Sequence, residues 1–396
     1  MSIFRRSSSR GLAALIAAIA TAGAVSAVVA VTAFGGGGAT PAAEPLSQAI
    51  HDALSAAPVD GVTARISFKD NLLGSDALGS LAGGSSSPLL SGASGRLWLT
   101  GDGHLRLELQ SDAGDAQIVS DGKTLTVYDG TSNTAYTLAL PAQSPPTTTD
   151  TGTVSIPQID STLAKLADFA NLTGATPDSV AGQGAYTVTA SPKANGGLLD
   201  SAALSWDATT GAPLRAAVYA KGDSTPVLEL TANEISYGPV AASAVDISPP
   251  AGAKVVTLTA PTAPAGTKTT ETPPVTGLDA VAAAVPFKLV APNTLGGLAR
   301  SEVRLLDSNG EQSALVTYGE GLGTVAVHER AAGSTTTDKS GPLAQLPSVA
   351  INGDTGHELV TALGTIVQYT SGGVDYTVAG SVTQSDAEAA ARALTS

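Results

Sequence analysis

Residues 94–140 read SGRLWLTGDGHLRLELQSDAGDAQIVSDGKTLTVYDGTSNTAYTLAL, a run that only consecutive antiparallel strands accommodate. From His104 to Gln110, Leu105, Leu107 and Leu109 alternate with His104, Arg106, Glu108 and Gln110. A period of two is the mark of a half-buried strand. Around it, Arg96–Thr100, Ala116–Val119, Lys123–Tyr128 and Thr134–Leu140 read as further strands. They are parted by Gly101-Asp102-Gly103, Asp121-Gly122 and Asp129-Gly130. Asp-Gly between such runs predicts hairpins, because glycine takes positive φ without steric cost. The product is a meander with one apolar face.

Upstream, Arg5, Arg6 and Arg10 precede an uncharged apolar stretch from Gly11 to Phe34. A basic flank followed by such a run is an export signal or an N-terminal membrane anchor, and its length suits a span. Residues 1–44 are therefore expected to be a signal peptide or anchor with a Gly-rich spacer, which puts the bulk of the chain outside the cytoplasm. A helix is predicted from about Pro45 to Ala56, where Leu46, Ile50 and Leu54 share a face. A strand follows over Val62–Lys69. Residues 71–94 scatter leucines among Gly and Ser, as a surface insertion or an apolar lid.

Downstream of the meander, a Pro/Thr-rich connector spans Ala142–Pro157. It leads to a predicted helix over Asp160–Ala170, and strands are expected over 185–190, 201–206, 214–221, 227–233 and 235–237. Residues 45–256 form one domain on this reading. Prolines among Thr and Ala make 257–277 an extended linker. Residues 278–396 form a small α+β accessory domain: strands over 303–306, 313–318 and 323–328, a loop at 333–348, and a hairpin of 357–369 with 374–379. Ser385 and Glu388 mark the start of a closing helix as a capping box.

A net charge of −14 argues against nucleic acid, which needs a basic face, and against electrostatic docking on anionic lipid. The absence of cysteine removes disulfides, thiolate metal sites and a Cys nucleophile. The histidines lack metal-ligand spacing, and neither a Gly-x-Ser-x-Gly, a His-Glu-x-x-His nor a phosphate-binding glycine loop occurs. No catalytic residue, cofactor or metal ligand is expected. Arg65 and Arg106 fall opposite the apolar face by parity, as outer charges or, at the mouth of a cavity, as head-group contacts.

The apolar face carries Leu105, Leu107, Leu109, Leu125, Val127 and Leu138, then Val188, Leu204 and Val218 further on. Such short side chains either fill a tightly closed core or leave a curved sheet with an unfilled hollow; the residues alone leave both open.

Several motifs bear on this choice. Gly95-Arg96-Leu97-Trp98-Leu99, Leu105-Arg106-Leu107-Glu108, Ile118 to Leu125 with its Asp121-Gly122-Lys123 turn, and Val127-Tyr128-Asp129 resemble the LolA-like lipoprotein-carrier superfamily. Gly182 to Tyr186, Leu204 to Asp207 and Gly211 to Arg215 are similar to its later hairpin. The resemblance covers residues 45–250. It implies a mainly β (α+β) fold, an unclosed antiparallel β-barrel wrapped around helices. It also implies a non-enzymatic carrier of acyl lipid or lipoprotein, lined by the face above together with Phe68, Trp98, Leu163 and Leu166. The segments Phe287–Pro292 and Leu322–Val327 look more like the C-terminal part of the RseB/MucB-type envelope sensors, which implies a membrane-protein partner as the alternative.

Overall fold

The computed structural model describes residues 39–73, 88, 92–112, 114–140, 154–194, 196–258, 275–308, 310–333 and 346–395. The apolar N-terminal stretch, most of the 71–94 insertion, residues 142–153 of the 142–157 connector and the centre of the 257–277 segment lie outside them, as does most of the 333–348 loop.

The fold is mainly β with a few helices. The first unit begins with α1 (Leu46–Ser55) and β1 (Gly61–Asp70). Then come β2 (Ala93–Thr100), β3 (Leu105–Ser111), β4 (Gly114–Ser120), β5 (Thr124–Asp129) and β6 (Thr134–Ala139). After α2 (Ile156–Leu166) follow β7 (Ala170–Leu172), β8 (Thr176–Val180), β9 (Gln183–Pro192), β10 (Leu199–Asp207), β11 (Pro213–Ala220) and β12 (Pro226–Tyr237). A short α3 (Ala242–Val245) and β13 (Lys254–Leu258) complete it. These strands form one 13-stranded sheet in the order β13-β6-β5-β4-β3-β2-β1-β12-β11-β10-β9-β7, with β8 beside β9. The path ends at β13 and β7 without closing, so the curled sheet is a half-barrel.

The meander forms as its alternation dictates, with every turn in register. Glycine is indispensable at one point within it. A Cβ on Gly95 would lie 1.9 Å from the Glu108 carbonyl oxygen across the β2–β3 ladder. Gly95→Ala is therefore expected to destabilise the fold by about 2–3 kcal/mol, read as a lower urea midpoint at unchanged slope.

Several boundaries differ from those the sequence suggests. α2 starts at Ile156 rather than near Asp160, because Ser155 and Gln158 form a reciprocal capping box with Pro157 in the first turn. It ends at Leu166, and Ala170 opens β7 instead of closing a helix. The pieces 227–233 and 235–237 are one strand, interrupted only by a bulge opposite Arg65/Ile66. β13 pairs in parallel with β6, so Thr257 and Leu258 belong to the sheet rather than to the linker expected over 257–277.

The second unit contains α4 (Leu278–Ala284), β14 (Thr294–Leu295), β15 (Leu298–Ser308), β16 (Glu311–Tyr318) and β17 (Val325–Ala331). It continues with β18 (Ser348–Ile351), β19 (Asp354–Thr361), β20 (Gly364–Ser371), β21 (Val374–Gly380) and α5 (Gln384–Leu394). Its eight strands run β14-β15-β16-β17-β21-β20-β19-β18. The expected 357–369 arm is itself a hairpin, β19 turning into β20 at Ala362-Leu363. The cap of α5 is Thr383, whose Oγ1 accepts from the Asp386 amide at 3.3 Å, not Ser385. Val281, Val316, Val327, Val367, Val378 and Ala391 pack between sheet and helices.

The two sheets meet where the Ala362 amide donates to the Leu72 carbonyl at 2.8 Å and the Leu198 amide to Ser381 Oγ at 2.9 Å.

Candidate functional site

Register assembles the apolar face of the half-barrel. Ile235, Ala64, Leu97, Leu107, Ile118, Val127, Tyr136 and Val256 lie opposite one another in turn, one residue from each of eight adjacent strands. A parallel row runs through Val62, Leu99, Leu105, Ser120, Leu125 and Leu138. Because side chains of paired residues share a face, both rows lie on one side of the sheet.

The helices cover only part of this side. α1 packs Leu46, Ala49 and Ala53 on Tyr186, Val188, Leu204 and Trp206, at the β9–β10 end, and α2 packs against α1. Ile159 is the buried residue of α2, while Leu163 and Leu166 stay half-buried. Over β2 to β5 the face keeps Leu97, Leu105, Leu107, Ile118, Leu125 and Val127 half-buried. Tyr136 is 38% exposed, and Leu230, beside Phe68 on the same face, 41%. Toward β1 the face is tighter: Leu109 packs with Ala64, Ile66 and Ala116, and Phe68, Leu97 and Leu107 lean on that cluster.

The residues expected to line a cavity thus fall into groups. Phe68, Leu105, Leu107, Leu125, Val127 and Leu138 lie on the open part of the face. Leu109 is core, and Val188 and Leu204 are roofed by α1. Val218 sits half-buried between Ala202 and Leu228, away from the open rows.

Trp98 requires a correction. It pairs with Arg106 and so lies on the opposite face, where the Arg106 guanidinium stacks 5.0 Å from its ring centroid. Alternation with Leu97 and Leu99 already fixes that side, against the lining role that the resemblance implied for Trp98. Leu97, Ile118 and Tyr136 were not among the expected residues, although the same alternation points to them.

The outer face is polar and structural. Arg106 donates to the Ala244 carbonyl at 3.0 Å, tying α3 to the sheet, and pairs with Glu108. Arg65 meets Glu234 at 3.3 Å with both side chains largely in water. Glu229 is held by Lys69 and Arg215, each at 2.7 Å. Burial raises its carboxyl pKa, but these two bonds outweigh burial and leave it lowered. None of these groups reaches the apolar rows.

Recesses of defined volume lie elsewhere. One of about 440 Å³ is in the second unit, and one of about 270 Å³ lies between Gly197-Leu198 and residues around Leu295 and Ser381. Among the described residues, the half-buried apolar rows over β2 to β5 form a trough. Among the described residues no group of His, Asp and Glu is placed to hold a metal ion, and no helix is long and apolar enough to cross a membrane.

No protein-family model matches the sequence, and no curated protein matches it. Among solved structures, the chain is similar to the Pseudomonas aeruginosa MucA/MucB complex, with 18% identity over 87% of this chain and 96% of that one, at a TM-score of 0.40. It is also similar to a LolA superfamily protein from Nitrosomonas europaea, with 11% identity over 51% of this chain and 98% of that one, at a TM-score of 0.19. An uncharacterised conserved protein from Thermus thermophilus shares 11% identity over 50% of this chain and 91% of that one, at a TM-score of 0.31.

Proposed function

We propose that this is an extracytoplasmic protein that holds the acyl chains of a lipid or lipoprotein against the open part of its half-barrel and performs no chemistry. The observation that carries the reading is the row Leu97-Leu107-Ile118-Val127-Tyr136, apolar across five strands yet only half-buried up to an exposed Tyr136, while α1 packs at the β9–β10 end. Four inter-strand gaps of about 4.8 Å make this row about 19 Å long, comparable with an extended long acyl chain. Each buried CH₂ contributes about 0.8 kcal/mol, so one such chain supplies useful affinity even after ordering costs.

The test is native mass spectrometry of the protein purified gently from its own host. Discrete added masses that extract into organic solvent and match lipids are expected. A protein that stays at its bare mass across preparations, and does not take up added lipid, overturns the reading.

A second reading makes the same trough a sensor whose second unit captures a membrane-protein partner. The 440 Å³ recess of that unit, walled by Phe287, Val290 and Tyr376, favours it. Capture of a partner from host membranes should then depend on residues 278–396, whereas a simple carrier would not need them.

A further inference from the structure

The second unit buries a carboxyl group where its sheet calls for an apolar side chain. β17 turns Val325, Val327 and Glu329 toward the core, and Glu329 is 0% exposed. Glu329 Oε2 accepts from the Val290 amide at 3.0 Å, while Oε1 has no hydrogen-bond partner. Among the described residues no ion pair includes it.

Val290 belongs to a strap, residues 286–293, that links α4 to β14 without joining the ladder. Its far end is tied to Arg300, which donates to the Ala291 carbonyl and, at 3.1 Å, to Asn293 Oδ1. The Glu329 bond is thus the catch at the middle of the strap. Phe287 and Val290 of the strap line the 440 Å³ recess together with Val374, Tyr376 and Leu394.

The groups facing Glu329 offer nothing to neutralise a charge. Tyr376 is its cross-strand partner on β21, and Tyr318 on β16 and Tyr369 on β20 interact with it electrostatically. Burial and the carboxylate hold Tyr318 and Tyr376 up at about 12, so they stay neutral. The Tyr318 hydroxyl also has no partner. α5 presents Ala387, Ala390, Ala391 and Leu394 to this core. Of the cations near the strap, Arg300 acts on Tyr318 and is committed to the strap's end, and Lys288 lines the recess.

We propose that Glu329 is a proton-operated catch on the strap 286–293. Neutral, it rests in the core and offers its carbonyl oxygen to the Val290 amide. Ionised, it leaves a charged oxygen in the core without a hydrogen-bond partner, and lifting the strap admits the water that this oxygen needs. The recess then widens. Burial, only partly offset by the Val290 bond, places the change at a pH of about 7.

Amide hydrogen exchange of the full chain at pH 5.5, 7 and 8.5, corrected for intrinsic rates, tests it. Peptides covering 286–293 should lose protection about tenfold or more between the extremes, with the midpoint near neutrality. Glu329→Gln, which keeps an acceptor for Val290 but cannot ionise, should hold protection constant within about twofold. Glu329→Leu, which has no acceptor, should leave the strap unprotected at every pH while peptides of 311–318 stay protected. A wild-type strap indifferent to pH, a Gln variant with the wild-type pH response, or a Leu variant with a fully protected strap would each overturn the proposal.

Discussion

Leu107→Asp is expected to release a bound acyl chain while leaving the fold standing. Leu107 lies at the middle of the open row, directly between Leu97 and Ile118. A carboxylate there stays hydrated and keeps the chain from contact with its neighbours. Uncovering three to four CH₂ groups at about 0.8 kcal/mol each removes about 3 kcal/mol, or roughly a hundredfold in affinity. The cost to stability is expected to be smaller, about 1–2 kcal/mol, because the position is half-buried already. Thr126→Asp on the other face of the sheet is the control and should leave affinity within about twofold. Displacement of a fluorescent fatty acid measures both. Equal loss in the two variants would show that the face does not select.

The second large effect concerns stability against pH. Glu329 goes from an ordinary carboxyl in the unfolded chain to one raised to about 7 in the folded state. A raised acid binds more protons folded than unfolded, so its contribution is greatest below about pH 4.5 and is lost as pH climbs to about 7. The loss is on the order of 3 kcal/mol, at 1.36 kcal/mol for each pH unit of the interval. Glu358, raised by burial and by Glu388, acts in the same sense. Glu229 is lowered by Lys69 and Arg215 and acts in the opposite sense, weakening the first unit as pH falls. Unfolding of the second unit in urea at pH 5 and pH 8 should therefore show the wild type weaker at pH 8. Glu329→Gln should remove most of the difference. An unchanged difference in that variant would mean that other groups set it.

Much of the half-barrel was legible in local pattern. Alternation around Leu105, Leu107 and Leu109 fixed both the strands and the shared face, since parity passes through each short hairpin. The same rule, followed strictly, places Trp98 outside and Leu97 and Ile118 inside. What the residues did not declare was long-range: the parallel pairing of Val255 and Val256 with β6, and the fact that α1 roofs Val188 and Leu204 but not Leu107. Those depend on where a helix comes to rest, which an amphipathic stripe does not specify. Glu329 was missed for a different reason. A strand read over 323–328 ends one residue short, yet the period of two carries Glu329 inward with Val325 and Val327.

The most direct test of the trough is a photoreactive fatty acid, cross-linked to the full chain and located by peptide mapping. Adducts confined to peptides of β2 to β5, at Leu97, Leu107, Ile118 or Val127, are the result that an acyl-binding face requires. Adducts found only on the Trp98–Arg106 face or in the second unit would contradict it.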